Sequence, residues 1–376
     1  MFTVLDLQRK ARARLPKSVF DFIEGGAGDE TAVQRNLSVW NNVRLVPKVL
    51  ILGNQRTLET KFLGQTYGAP FGVSPMGLGK VAWHDTDEGL VRATAAANIP
   101  YSLSTAGSTS IERVAELGGK NAWFQIYVSA AKASTDLMDR ARHAGITTLI
   151  VTVDANHTGR RLRDLRNGFG LPFRPRPSVV VDFMRHPRWA LGMLRSGSPR
   201  MVNMESSSSS EMSIAKFMQN LIAANLDWTV LEDIRAKWPG RLIVKGVMHG
   251  DDARRMVGMG VDAISVSNHG GRQLSAAVSP VEVLPGIRRA VGDTFPLLLD
   301  SGVRSGDDIC KALALGANFV LLGRAFLFAT AALGGAAGGP RIIDILKSEL
   351  SSSLNQLGCA SVHELDSSFV HRYQDL

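Results

Sequence analysis

Val261-Asp262-Ala263-Ile264-Ser265-Val266-Ser267-Asn268-His269-Gly270-Gly271-Arg272-Gln273-Leu274 is the densest polar chemistry in the 376-residue chain. A β-branched apolar run that ends abruptly in polar residues and glycines reads as a buried parallel strand handing its side chains to a loop. His269 and Arg272 then share one short turn. A histidine takes up a proton near neutral pH, and an arginine offers a planar fork that matches a carboxylate. Gly270 and Gly271 permit close backbone approach or a positive φ. The stretch therefore describes a general base beside an anion clamp. Taken alone, a histidine after a strand is more often a loop residue with a satisfied hydrogen bond. Its company argues otherwise, because the other candidate strands also end in polar or charged residues.

Eight such strands start near Phe71, Tyr101, Trp123, Thr148, Arg241, Asp262, Pro296 and Phe319. Amphipathic runs Asp87–Asn98, Ser110–Leu117, Ser134–His143, Asp251–Gly258, Ser279–Ala290 and Ser305–Leu315 lie between them, each opening on a residue that caps helices well. Strand starts are 21 to 34 residues apart, except for 93 between the fourth and fifth. Eight alternating units predict an α/β fold, a parallel (β/α)₈ TIM barrel, with one long excursion after strand four. An open doubly wound sheet would want a glycine fingerprint after its first strand, and Ser74-Pro75-Met76-Gly77-Leu78-Gly79 matches it poorly. Ahead of the repeat, Val4–Arg14 reads as a helix, and residues 43–67 as short segments that would close one end of the barrel. The chain is expected to be one barrel domain over 1–376, with the excursion, 155–226, inside it.

Composition narrows the function classes. An apolar fraction of 45% and a charged fraction of 20% belong to a globular protein with a large core. Cys310 and Cys359 are too few for a disulfide framework and lack metal-ligand spacing, so reduced thiols and no metal are expected. Met1–Arg14 is charged and lacks the apolar core of a secretory signal, and no apolar run is long enough to span a bilayer. A cytoplasmic protein is the expectation. Of the net charge of +9, most sits between Gly159 and Arg200, where ten arginines face two aspartates. Such a local basic patch argues against a nucleic-acid-binding body. Arg174–Arg200 interleaves this charge with Phe183, Met184, Trp189, Leu191, Met193 and Leu194, a composition suited to the surface of an anionic membrane; a lid or a subunit contact would also explain it. Ser206–Ser210 reads as a link to a helix over Met212–Ala223.

In a barrel the active site lies at the C-terminal strand ends. Those ends present Pro75-Met76-Gly77, Ser104, Gln125 with Tyr127, Thr152 with Asp154, Lys245, Ser267 with His269, Asp300, and Gly323-Arg324. Charged groups in a barrel mouth are expensive to bury unless paired or used. The loops Asp300-Ser301-Gly302-Val303-Arg304 and Leu322-Gly323-Arg324 follow strands seven and eight, where barrels often hold a phosphate on backbone N–H groups and a helix N-terminus.

These motifs, with Gln125-Ile126-Tyr127-Val128, Thr152-Val153-Asp154 and Val244-Lys245-Gly246, resemble those of the flavin mononucleotide (FMN)-dependent 2-hydroxy acid oxidising family, across nearly the whole chain. The excursion, through Asp182-Phe183-Met184-Arg185-His186-Pro187-Arg188-Trp189, is similar to its bacterial membrane-associated members. The resemblance implies FMN as cofactor, a small 2-hydroxy acid as substrate, a quinone or other acceptor for the electrons, and a homotetramer. His269 would take the substrate hydroxyl proton while the α-hydrogen leaves toward flavin N5. Asp154 would hold the imidazole and favour its protonated form. Arg272 and Arg161 would grip the carboxylate, and Tyr127 would bond the substrate oxygen. Lys245 would sit near flavin N1, Pro75, Met76 and Gly77 beside the ring, and Ser104, Gln125, Thr152 and Ser267 on the isoalloxazine or ribityl chain. Asp300, Ser301, Gly302, Arg304, Gly323 and Arg324 would serve the ribityl and phosphate. Phe22 stands where the family usually has a substrate-binding tyrosine, and Met76 where a threonine or small residue is common, so both would reshape the substrate pocket. Gly77 hints at a dehydrogenase. An oxidase using oxygen, and a flavin-binding barrel without turnover, are the alternatives.

Overall fold

Runs of Val, Ile and Leu are buried on both faces only in parallel sheets covered by helices, and the chain uses eight of them in this way. The computed structural model describes residues 1–51, 56–128, 131–155, 157, 159–169, 177–204 and 226–372. Strands β1 (Phe71–Met76), β2 (Tyr101–Ser104), β3 (Ala122–Tyr127), β4 (Thr148–Thr152), β5 (Arg241–Val247), β6 (Ala263–Val266), β7 (Leu297–Asp300) and β8 (Phe319–Leu322) form a closed parallel barrel in sequence order, with β8 beside β1. Every strand begins within one residue of the predicted start. Ladder registers bring Ser104 opposite Gln125, and Tyr127, Thr152 and Lys245 into one row, so the polar ends share one rim.

Ser110, Ser279 and Ser305 occupy the N-caps predicted for them, Ser279 within a capping box with Glu282. Three other starts differ from expectation. The first barrel helix is Thr86–Ala96, the third is Ala131–His143, beginning before Ser134, and the helix expected from Asp251 is Gly250–Gly258. In the last, His249 is the cap, its ring nitrogen accepting from the Asp251 N–H at 3.2 Å. Asp251 sits instead in the first turn, where its charge meets the positive end of the helix dipole.

The barrel floor is closed by an antiparallel hairpin, Thr60–Phe62 with Gln65–Tyr67. Phe62 stacks on Phe319 at 4.9 Å between ring centroids, Tyr67 meets Trp123 edge-on at 6.0 Å, and the Trp123 indole N–H donates to the Tyr67 hydroxyl at 3.3 Å. Val43–Leu45 pairs with Val370–Arg372. Within the stretch predicted to close one end of the barrel, the hairpin is the part that does so. The helix α1 (Val4–Arg14) packs against the outer helix Arg324–Leu333, and over the opposite rim lie α2 (Lys17–Glu24) and α3 (Thr31–Ser38), which supply the roof of the site.

The described part of the excursion contains helices Leu162–Asn167, Pro177–Arg185 and Pro187–Ser196. Trp189 anchors it by donating from its ring nitrogen to the Val81 carbonyl at 3.0 Å, and Lys80 donates to the Ser196 carbonyl at 2.5 Å. Asp182 accepts from the Lys17 backbone N–H at 2.6 Å, capping α2, whose own N-cap residue Pro16 has no side-chain donor or acceptor to give. The predicted link Ser206–Ser210 and helix Met212–Ala223 lie outside the described residues. No helix among the described residues is long and apolar enough to cross a membrane. Cys310 and Cys359 are free and buried.

Trp123 is fully buried between floor and barrel. Trp123→Ala should lower the unfolding free energy by about 3 to 5 kcal/mol, the range for emptying a large aromatic site; the shift in urea midpoint measures it.

Candidate active site

The floor of the mouth is a set of hydrogen bonds passed from strand to strand. Ser104 donates to Gln125 at 2.8 Å, and the Gln125 amide donates to Thr152 at 2.9 Å. Across the barrel, Lys245 lies 3.0 Å from both Ser267 Oγ and Asp300 Oδ2, and Ser267 donates to Asp300 at 2.7 Å. The Lys245 and Asp300 side chains are only 3% and 8% exposed. A lone charge buried so deeply would neutralise, but these two hold each other ionised. Burial works against the Lys245 ammonium, yet Asp300 and Asp154 outweigh it and raise its pKa; burial likewise opposes the Asp300 carboxylate, and Lys245 with Ser267 brings its pKa below the usual value. Ser74 also hydrogen-bonds Asp300.

Above this floor the chain after β6 takes an unusual path. His269, Gly270 and Gly271 have φ of +57°, +66° and +74°. A left-handed conformation costs a non-glycine residue about 1 kcal/mol or more, and here it turns the His269 ring back over the rim. His269 Nδ1 lies 2.9 Å from Asp154 Oδ1 and Nε2 lies 3.3 Å from the Tyr127 hydroxyl. The carboxylate fixes the proton on Nδ1, leaving the Nε2 lone pair toward the cleft. Asp154 reaches this position because residue 246 is glycine at φ +105°; a Cβ there would lie 2.5 Å from the Asp154 carboxyl carbon. The second carboxylate oxygen, Oδ2, is buried without a hydrogen-bond partner.

The arginines expected at the site meet here too. Arg272 donates to the carbonyls of Phe22 and Gly25, both at 2.8 Å, while Arg324 donates to those of Ile23, Gly25 and Gly270 at 2.8–2.9 Å. Carbonyls at a helix C-terminus lack intrahelical partners, and the end of α2 finds them in these two side chains. Arg161 lines the same cleft with its Nε buried and unpartnered. The Phe22 ring stacks on Phe169 at 4.6 Å and carries the Arg272 guanidinium 5.2 Å from its centroid.

The cleft holds about 1230 Å³ of space, its mouth included. Phe22, Pro75, Met76, Gly77, Tyr127, Arg161, Lys245, His269, Arg272, Asp300, Ser301, Gly302, Arg304, Gly323 and Arg324 all line it. Ser104, Gln125, Thr152, Ser267 and Asp154 do not; they lie behind that lining and are tied to one another or to lining side chains. The sequence alone gives no role to Ser74, or to Gln273, whose side chain accepts the Gly159 N–H at 2.9 Å. Nor does it single out Arg163, which bridges Glu24 at 2.8 Å and Glu30 at 2.5 Å beneath the roof. Ser74 is open to discovery as an inward position of β1; nothing local distinguishes the other two.

Asp154 favours the protonated His269, as its charge implies, but burial opposes it and Lys245 and Arg161 add to that opposition, so the net pKa is lowered.

The cleft is also short of negative charge. Burial and neighbouring Arg304 bring the Arg324 pKa down to about 9, and burial brings Arg304 down to about 10. Beside them Ser301 and Gly302 have φ of +96° and +88°, and the helix starting at Arg324 has Gly323 at its N-cap with no side-chain cap bond. Buried cations and uncapped N–H groups suit a phosphate, and the Lys245 ammonium, fixed in the lining by Ser267 and Asp300, suits the polar edge of a planar ring. The donor set fits FMN.

Comparison with known proteins agrees. The family model of FMN-dependent dehydrogenases matches residues 11–372, and the chain belongs to that family, the FMN-dependent 2-hydroxy acid dehydrogenases. It is an FMN-dependent oxidoreductase. It is 40% identical to (S)-mandelate dehydrogenase of Pseudomonas putida over 98% of this chain and 94% of that one. It is 37% identical to L-lactate dehydrogenase of Xanthomonas campestris pv. campestris (strain B100), over 98% and 96%. A crystal structure of monotopic membrane protein (S)-mandelate dehydrogenase superposes with a TM-score of 0.93 at 38% identity, covering 99% of both chains.

The lowered His269 pKa is open to test. In a ¹⁵N NMR titration its imidazole should protonate below the usual value of about 6.5, and Asp154→Asn, which removes the charge that supports the imidazolium, should move the midpoint lower still. A midpoint that rises in the variant would contradict the balance described above.

Proposed function

We propose that the protein oxidises an L-2-hydroxy acid, mandelate-like or lactate-like, to the 2-keto acid. The observation that carries this reading is the placement of His269, Nδ1 on Asp154 and Nε2 near the Tyr127 hydroxyl, in a cleft that also contains the arginines 161 and 272. A bound FMN supplies the acceptor for the hydrogen and electron pair lost from the substrate α-carbon. Arg161 and Arg272 clamp the substrate carboxylate and so fix the α-carbon. Tyr127 donates to the substrate oxygen, and His269 takes the hydroxyl proton on Nε2, Asp154 stabilising the imidazolium that results. Lys245 would place positive charge beside the bound flavin and so favour its reduced form. Arg304, Arg324, Ser301, Gly302 and Gly323 would hold the phosphate; Ser104, Gln125, Thr152, Ser267 and Asp300 would fix the floor beneath the ring system, and Pro75, Met76 and Gly77 would flank it. Phe22 and Met76 give the substrate side chain an apolar wall, and the Phe22–Phe169 stack favours an aryl or bulky group over a methyl. Residues 1–376 act as one barrel domain.

Electrons pass to a quinone or other membrane acceptor in this reading. Support comes from the outward faces of Pro177–Arg185 and Pro187–Ser196, where Val180, Val181, Met184, Leu191 and Leu194 are exposed beside Arg185, Arg188 and Arg195. Such a face suits peripheral contact with an anionic, cytoplasmic-side membrane surface, as the monotopic relative is named.

An anaerobic absorbance titration with S-mandelate, L-lactate, glycolate and a longer aliphatic 2-hydroxy acid tests the reaction. At least one should bleach the oxidised flavin band, colour should return slowly in air, and His269→Gln should keep the yellow cofactor while slowing reduction about 10²- to 10⁴-fold. A yellow protein that none of these acids bleaches would remove the proposal. For the membrane, the protein should float with vesicles containing phosphatidylglycerol and lose that association on Met184→Asp with Leu194→Asp; equal flotation of parent and variant would exclude these helices as the contact.

A further inference from the structure

The left-handed turn that carries His269 is held from several sides: Ser267 Oγ accepts the His269 N–H at 3.0 Å, Ser301 Oγ accepts the Gly270 N–H at 2.9 Å, and Arg324 donates to the Gly270 carbonyl. The hold on the residue before the histidine comes from α3. Asn36 and Asn268 form a closed amide pair, each side-chain N–H donating to the other's carbonyl oxygen at 2.8 Å, with both residues buried. Asn268 Oδ1 also accepts the Gly271 N–H at 3.1 Å, and its Nδ2 donates to the Val278 carbonyl at 3.0 Å. Those two backbone partners admit only one orientation of the Asn268 amide, which in turn fixes that of Asn36. The carbonyl of Asn36 packs against the neighbouring loop as well: a Cβ on Gly302 would lie 2.2 Å from it. Gly271 is pressed on the same helix, where a Cβ would lie 2.7 Å from the Val33 nitrogen. One buried amide therefore clamps residue 268 in place directly before the strained histidine, and the main chain of the same residue packs on the loop of residues 301–302.

We propose that Asn36 is a positioning residue for the reaction: through Asn268 it sets the His269 turn, and with it the direction of Nε2, without itself touching substrate or cofactor. The proposal rests on the role given to His269 above. Loss of the pair leaves His269 free to exchange its left-handed turn for a relaxed one, in which Nδ1 leaves Asp154 and the ring tautomer is no longer fixed. The carboxylate clamp does not pass through Asn36: Arg272 is held by the carbonyls of α2, and Asn36 makes no hydrogen bond to Arg161.

The test compares the FMN-loaded parent with Asn36→Ala and Asn36→Asp, the second keeping side-chain shape while turning an N–H donor into a repelling oxygen. Both variants should keep FMN and reduce it at saturating substrate at least tenfold more slowly, with the dissociation constant for benzoate, an unreactive carboxylate, within twofold of the parent. In ¹⁵N spectra the parent His269 should be a single Nδ1–H tautomer, and in both variants a mixture. Rates within twofold of the parent, benzoate binding weakened in step with the rate, an unchanged tautomer, or loss of FMN binding and cooperative unfolding in both variants would each overturn the proposal. Failure of the parent to be reduced by any hydroxy acid would sink the assigned reaction instead, and the tautomer comparison would still judge Asn36.

Discussion

A lysine and an aspartate share the dry centre of the barrel mouth, and the surrounding architecture keeps that pair from being a liability. Ion pairs removed from water regain their desolvation cost only with close geometry and every remaining hydrogen bond satisfied. Lys245 and Asp300 meet those terms through Ser267, which contacts both, and through Ser74 on the far side of the barrel. Four strands thus contribute to one charge-neutral knot. Because the knot is neutral, the arginines around it have no counter-charge to spare, and the mouth keeps an appetite for anions at both ends of the cleft.

The roof obeys a second constraint. A helix end leaves carbonyls that need donors, and a phosphate or carboxylate site needs arginines whose positions are known. Pointing the C-terminal turn of α2 at Arg272 and Arg324 satisfies both needs with the same hydrogen bonds. The N-terminal segment is in this sense part of the site, although it lies outside the eight repeated units. Asp182, reaching from the excursion to the start of α2, ties the most basic part of the chain to the same roof.

Much of this is legible in the amino-acid sequence. Strand starts can be read because each strand changes abruptly from β-branched to polar at the rim, and that change is also what marks the site. Helix starts are less certain, as Asp251 shows: an acidic residue serves a helix equally well at the cap or in the first turn, and His249 beside it takes the cap. The direction of the His269 pKa escapes the sequence, which offers Asp154 as a partner but gives no measure of burial, nor of how near Lys245 and Arg161 come. Asn36 and Arg163 carry no local pattern at all; each gains its meaning from residues more than a hundred positions away.

The hairpin of Phe62 and Tyr67 makes the barrel a cup instead of a pipe. With aromatic rings sealing the base, whatever enters at the rim must leave by the rim. Among the described residues the rim is then the one way into the cleft and out of it. Such a vessel favours taking turns: one guest departs before the next is received.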